Sequence, residues 1–151
     1  MKFNIIADSR EKTPWYFPED EHTKGTYIQK LDVGDYSLDG FQTEFVIERK
    51  KSTSEIATNF TEKRWPDFLD RLRNIPKAFF VCEFSLDDVL RFPLGSNIPR
   101  KKLKFVKISP QFLLSKLADI QLLGIHVVYA GDTENAQNLS YLLMKKFWNS
   151  K

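Results

Sequence analysis

The chain has 151 residues, 42% of them hydrophobic and 28% charged, with six Gly, seven Pro and a single Cys. That composition excludes collagen-like, disordered and disulfide-stapled classes and predicts one globular domain over residues 1–151. The net charge of +3 is unevenly placed: residues 1–90 carry 13 Lys and Arg against 17 Asp and Glu, whereas residues 91–107 carry six against none. A basic segment suited to a polyanion is thus expected beside an N-terminal part with acidic groups to spare. No apolar run reaches the roughly 20 residues of a membrane-spanning helix, so no membrane partner is expected. The start, Met1-Lys2-Phe3-Asn4, lacks the apolar stretch of a secretory signal, and lone Cys82 fits a reducing compartment. The expected location is cytoplasmic or nucleoid-associated.

Along the chain, Lys2 to Ala7 reads as a strand that delivers Asp8-Ser9-Arg10-Glu11 at its carboxyl end. Residues 14–25, with Pro14, Pro18, Glu19-Asp20-Glu21 and Gly25, read as a loop, and Tyr27 to Leu31 as a second strand. Asp32-Val33-Gly34-Asp35 is a turn and Tyr36 to Leu38 a short strand. Asp39-Gly40 then signals a hairpin into a strand from Glu44 to Lys50. Ser52-Thr53-Ser54-Glu55 has the form of a capping box, so a helix is expected from there. Pro66 predicts a break near Arg64-Trp65 and a second helical piece to about Asn74, with Phe68, Leu69 and Leu72 inward. Ala78 to Phe84 reads as a buried strand. Asp87-Asp88 reads as solvated loop, and residues 91–108 as a basic loop inserted within the domain. Ser109-Pro110 opens a helix closed by Gly124, Ile125 to Ala130 is a strand, and Ala136, Leu139, Leu143 and Phe147 mark a final amphipathic helix. The order predicts an α/β fold with a mixed central sheet flanked by helices.

Asp35, Glu48 and Lys50 stand out chemically. On a strand, positions i and i+2 share a face, so Glu48 and Lys50 point the same way, and the hairpin folds Asp35 against them. Two carboxylates and an amine suit phosphodiester hydrolysis. The carboxylates hold Mg²⁺ or Mn²⁺, and the ammonium orients or helps activate the attacking water. The bare pattern D-x(12)-E-x-K also arises by chance on solvated strands, and the flanking residues decide the matter. Asp8-Ser9-Arg10-Glu11, Gly34-Asp35-Tyr36 and Val46-Ile47-Glu48-Arg49-Lys50 occur in that order. Together they resemble the nuclease domain of the XPF-type structure-specific endonucleases, whose signature is D-x-R-E followed by G-D-x(n)-E-R-K-x-x-x-D. The resemblance covers residues 3–83 and implies a restriction-endonuclease-like fold.

It also implies a Mg²⁺- or Mn²⁺-dependent DNA endonuclease that cuts flap, fork or junction DNA near a duplex–single-strand junction in repair or recombination, leaving a 5′-phosphate and a 3′-hydroxyl. Carried over residue by residue, the metal ligands are Asp35 and Glu48 with Asp8 assisting, Lys50 positions water, and Arg10 contacts phosphate or the site's network. Arg49, on the opposite strand face, braces the site or offers its carbonyl to the metal. The family generally works as homodimers or heterodimers. Where the pattern has its final Asp this chain has Ser54, with Glu55 one position on, completing the capping box. Ser54 favours an alternative, a catalytically inactive DNA-binding or partner subunit of the same fold; the joint presence of Asp8, Asp35, Glu48 and Lys50 argues against it.

DNA contacts are expected from Arg100, Lys101, Lys102, Lys104 and Lys107, with exposed aromatics available to stack on an unpaired base, and from Arg64, with Arg71 and Arg73 as further candidates. No tandem helix–hairpin–helix module accompanies the nuclease-like part. Two His, His22 and His126, and Cys82 on an apolar strand make no zinc-type cluster, and no glycine-rich phosphate loop is present.

Overall fold

The computed structural model describes all 151 residues. Six strands form one sheet: β1 (Phe3–Ala7), β2 (Thr23–Ile28), β3 (Tyr36–Leu38), β4 (Phe45–Lys50), β5 (Lys77–Cys82) and β6 (His126–Tyr129), in the spatial order β2-β1-β3-β4-β5-β6. β3 runs antiparallel to both β1 and β4, while β2 pairs with β1, β5 with β4 and β6 with β5 in parallel. The helices are α1 (Thr53–Asn59), α2 (Trp65–Arg73), α3 (Leu86–Leu90), α4 (Pro110–Leu122) and α5 (Thr133–Asn149), with a 3-10 helix at Arg100–Phe105.

Alternation along the strands builds two apolar layers. Val46 and Phe80 pack with Ile56, Leu72, Leu113 and Leu117 of α1, α2 and α4 on one face. Phe45, Ile47 and Val81 pack with Ala136, Met144 and Phe147 of α5 on the other. Each such buried aliphatic side chain contributes about 1.5–3 kcal/mol. The same alternation, carried past the apolar part of β4, assigns Glu48 and Lys50 to the α1/α2 face and Arg49 to the α5 face.

The structure departs from the sequence reading at several points. β2 begins at Thr23 rather than Tyr27, because the Asp20 carboxylate accepts from the amides of His22 and Thr23 and closes the acidic loop early. β5 ends at Cys82 instead of reaching Phe84. Asp87-Asp88 is not a solvated loop: Ser85 and Asp88 form a capping box that starts α3. In α1 the Ser52 hydroxyl caps as expected, but the Glu55 carboxylate accepts from the amide of Lys51, 2.7 Å away, in place of that of Ser52. The expected loop at 91–108 contains the 3-10 helix.

Gly34 fixes the turn before β3. Its φ is +87°, and a Cβ there would lie 2.0 Å from Val46 Cγ2. Neither the backbone angle nor the contact tolerates a side chain. Gly34→Ala is expected to cost about 3 kcal/mol, seen as a melting temperature lowered by roughly 10 °C in thermal denaturation.

Candidate active site

The site lies at the carboxyl ends of β1 and β4, where the start of antiparallel β3 meets them. Asp35 is pinned from three sides: its amide donates to Ile47 O at 2.8 Å, its carbonyl accepts from Asp8 N at 2.8 Å, and its Oδ2 accepts from Arg49 N at 2.7 Å. The hairpin therefore does fold Asp35 against the strand that carries Glu48 and Lys50. Glu48 and Lys50 are only 7% and 5% exposed, and Lys50 Nζ stands 2.9 Å from Glu48 Oε2. Lys50 Nζ also donates to Asn59 Oδ1 at 2.7 Å, and Asn59 Nδ2 donates to Glu62 Oε1 at 2.9 Å. The rings of Trp65, Phe68 and Phe80 surround the ammonium with centroids 5.8, 6.0 and 5.8 Å away. Desolvation would favour a neutral amine, but Glu48, Glu55 and Asp35 outweigh it and raise the Lys50 pKa, so it stays charged.

The two carboxyls behave differently. Burial, then the charges of Glu48 and Glu11, pushes Asp35 well above the ordinary carboxyl range, against the Arg49 amide and Lys50. Burial pushes Glu48 up as well, with Lys50 opposing it. Asp8 moves the other way: burial opposes its charge, but Arg10 and the Leu31 amide hold the carboxyl below its usual range. Both Asp8 oxygens are engaged, Oδ2 by Arg10 Nε at 2.8 Å and Oδ1 by Leu31 N at 2.8 Å.

Together with Arg10, these residues line an open cleft of about 550 Å³. Arg64 and Arg71 stand at its rim, Arg64 near Glu62 at 3.4 Å and Arg71 donating to the carbonyl of Asp32. Arg73 and the basic residues Arg100, Lys101, Lys102, Lys104 and Lys107 do not line the cleft. The donor set fits a hard divalent cation, since two carboxylates sharing one lysine leave a deficit of positive charge. The fit rests on Asp35 and Glu48 alone, because no three His, Cys, Asp or Glu side chains stand close enough to share a metal. Ser54 adds no carboxylate; its Oγ lies 3.0 Å from Ser52 Oγ.

On the opposite face, Arg49 is 7% exposed and held through Nε and Nη1. Its Nε donates to Glu83 Oε2 at 2.7 Å, and its Nη1 to Thr13 O at 2.7 Å and Glu11 Oε2 at 3.2 Å. The guanidinium lies 4.8 Å from the Trp15 ring centroid, and Trp15 Nε1 donates to the same Glu83 oxygen at 2.7 Å. Glu83, Trp15 and Asn59 escaped the sequence reading. No local spacing marks them; the β4–β5 register, which sets Lys50 beside Cys82, brings Glu83 to the site.

The ERCC4 domain family matches residues 7–143. This chain belongs to that family. Among solved structures, XPF from Aeropyrum pernix is similar with a TM-score of 0.65 at 18% identity, over 95% of this chain and 60% of that one. XPF from Aeropyrum pernix in complex with DNA gives 0.62 at 18% identity, over 99% of this chain and 66% of that one. The likeness is one of fold, and this ERCC4 chain spans less than two thirds of either neighbour's length. No curated protein matches the sequence significantly. The XPF-type family and α/β fold expected from the D-S-R-E, G-D-Y and E-R-K residues thus hold.

Two outcomes follow from the charge arrangement of this ERCC4 domain. A carboxyl whose folded pKa lies above its ordinary 3.8 stabilises the fold fully only below that value, and the contribution is lost as pH rises through the folded pKa. In EDTA, Asp35→Asn is therefore expected to raise the melting temperature by a few degrees at pH 7–8 and to leave it unchanged near pH 3.5, measured by scanning calorimetry. Removing Arg49 strands Glu83 and Glu11, so Arg49→Met should cost about 3–5 kcal/mol in urea denaturation. Adding Glu83→Gln in the same chain should recover part of that loss, read from a double-mutant cycle.

Proposed function

We propose that this ERCC4-family chain is a Mg²⁺- or Mn²⁺-dependent DNA endonuclease acting on branched or partly single-stranded DNA, in repair or recombination. The observation that carries the reading is the convergence of Asp35, Glu48 and Lys50 in one open cleft at the carboxyl ends of the strands. Asp35 and Glu48 are the residues to hold the cation, which when bound activates water and offsets charge on the phosphoryl oxygens. Lys50 keeps its proton and acts as a fixed cation, held at Nζ by Glu48, Asn59 and three aromatic rings. It orients the attacking water or a non-bridging phosphate oxygen and does not serve as the base. Attack at phosphorus breaks the P–O3′ bond, leaving a 5′-phosphate and a 3′-hydroxyl.

The other residues position these groups. Asp8 holds Arg10 by two hydrogen bonds at 2.8 and 3.2 Å, leaving an exposed guanidinium at the cleft for a phosphate. Its own oxygens being engaged, Asp8 assists the metal only by releasing Arg10. Arg64 at the rim is available to a neighbouring phosphate. Arg49 is a positioning residue; its backbone amide sets Asp35 and its side chain fixes the end of β4.

Ser54 in place of a carboxylate favours the second reading, a DNA-binding subunit without turnover. Cleavage of end-labelled flap, fork, splayed-arm, nicked and plain duplex DNA in Mg²⁺ and Mn²⁺ separates the two. The wild type is expected to cut a branched substrate, and Asp35→Asn, Glu48→Gln and Lys50→Ala to lose at least about a hundredfold in rate while still binding DNA. Binding of branched DNA without cleavage in either metal would establish the second reading instead.

A further inference from the structure

Residues 91–107 carry six cations and no acidic residue. Of these only Arg91 has an ion partner, Asp88 at 2.7 Å; Arg100, Lys101, Lys102, Lys104 and Lys107 are exposed and unpaired. Amid them Phe105 is 68% exposed, with Lys104 Nζ 5.2 Å from its ring centroid. The segment is nevertheless anchored, since Ile98, Val106 and Ile108 pack against the core under α4. With three residues per turn, the 3-10 helix sets Arg100 and Leu103 in one row, Lys101 and Lys104 in a second, and Lys102 and Phe105 in a third, and of these six only Leu103 is half-buried while the rest are exposed. Cations and an aromatic ring thus stand side by side on a fixed outward surface.

Its position follows from the topology. β6 pairs parallel to β5, and α4 ends at Leu122, just before β6 begins. α4 therefore runs against the strands, and the segment before it lies at the carboxyl end of the sheet. That is the end where Asp35 and Glu48 sit, with β5 intervening. We infer that Arg100–Lys107 is a separate binding site for the single-stranded arm of a DNA substrate, its lysines taking phosphates and Phe105 stacking an unpaired base. A duplex presents such a surface with phosphates only, and an exposed ring among cations finds a partner only where bases are unstacked. The inference rests on the functional reading above in taking DNA as the ligand, and it is independent of turnover.

The test is fluorescence anisotropy in EDTA at several salt concentrations, with labelled oligothymidylate and a duplex of equal length. Combining Lys101→Ala, Lys102→Ala and Lys104→Ala should weaken oligothymidylate binding at least about tenfold and lower the slope of log K against log salt by about 2. Phe105→Ala should weaken it about tenfold with duplex affinity unchanged, and Phe105→Trp should restore it. All these side chains are exposed, so the variants are expected to melt with the wild type. Unchanged oligothymidylate affinity in the triple-lysine variant or in Phe105→Ala, an equal loss for duplex, or a preference for oligouridylate would overturn the assignment. A chain that shows these losses yet cuts nothing keeps this site and loses the nuclease reading; one that cuts forks without them loses this site alone.

Discussion

The structure turns on three consecutive charges, Glu48, Arg49 and Lys50, all buried at the end of one strand. A strand sends neighbouring side chains to opposite faces, so each side of the sheet has to neutralise its own charge. On the α5 face each carboxylate has an ion partner: Arg49 meets both Glu83 and Glu11, and a carbonyl, with an indole against its plane. On the cleft face one carboxyl has none. Glu48 and Lys50 offset each other, and Asp35 remains as an unmatched carboxyl whose ionisation the surroundings resist. One face is a closed network and the other an open charge deficit, and the register of a single strand fixes both.

The closed face gives the open one its rigidity. Trp15 stacks on Tyr36 at 4.7 Å, its backbone amide donates to the Tyr36 hydroxyl, and that hydroxyl donates to Glu11. Glu83 reaches on to the Thr133 hydroxyl at the start of α5, while its amide donates to Lys50 O. The segment after β1, the start of β3, the ends of β4 and β5 and the first turn of α5 are thus tied to one guanidinium. Hydrogen bonds of this kind reinforce one another where water is excluded. Asp35, held by the amide of that same arginine, inherits the precision of the network.

Much of this was legible in the sequence, for identifiable reasons. β1, β4 and β5 are apolar runs long enough to show themselves, and the two-residue period alone set Glu48 and Lys50 together with Arg49 apart. Gly34-Asp35 read as a turn, although the need for glycine comes from Val46, twelve positions away, and is visible only in three dimensions. β2 was misplaced because Lys24 and Gly25 are poor strand formers; pairing with β1 overrides that preference. α3 is only five residues long, below the length at which helical periodicity can be recognised. Glu83 falls inside the run from Ala78 to Phe84 that reads as a buried strand, and its role depends on a side chain from another strand, which no local pattern encodes.

The distribution of charge also separates affinity from chemistry. Seven acidic and four basic side chains line the cleft, so a phosphodiester approaching it unaided meets net repulsion. On the proposed function, a cation held by Asp35 and Glu48 would reverse that locally, where charge would develop on the phosphate. The attraction that brings a phosphate in would have to come from groups farther off, and the fold places its unpaired cations outside the cleft, along Arg100–Lys107. Binding energy gathered away from the scissile bond can then be spent on alignment rather than on holding the ground state. On the proposed function, a ligand would be held by whether its shape reaches both places at once, with no base read directly.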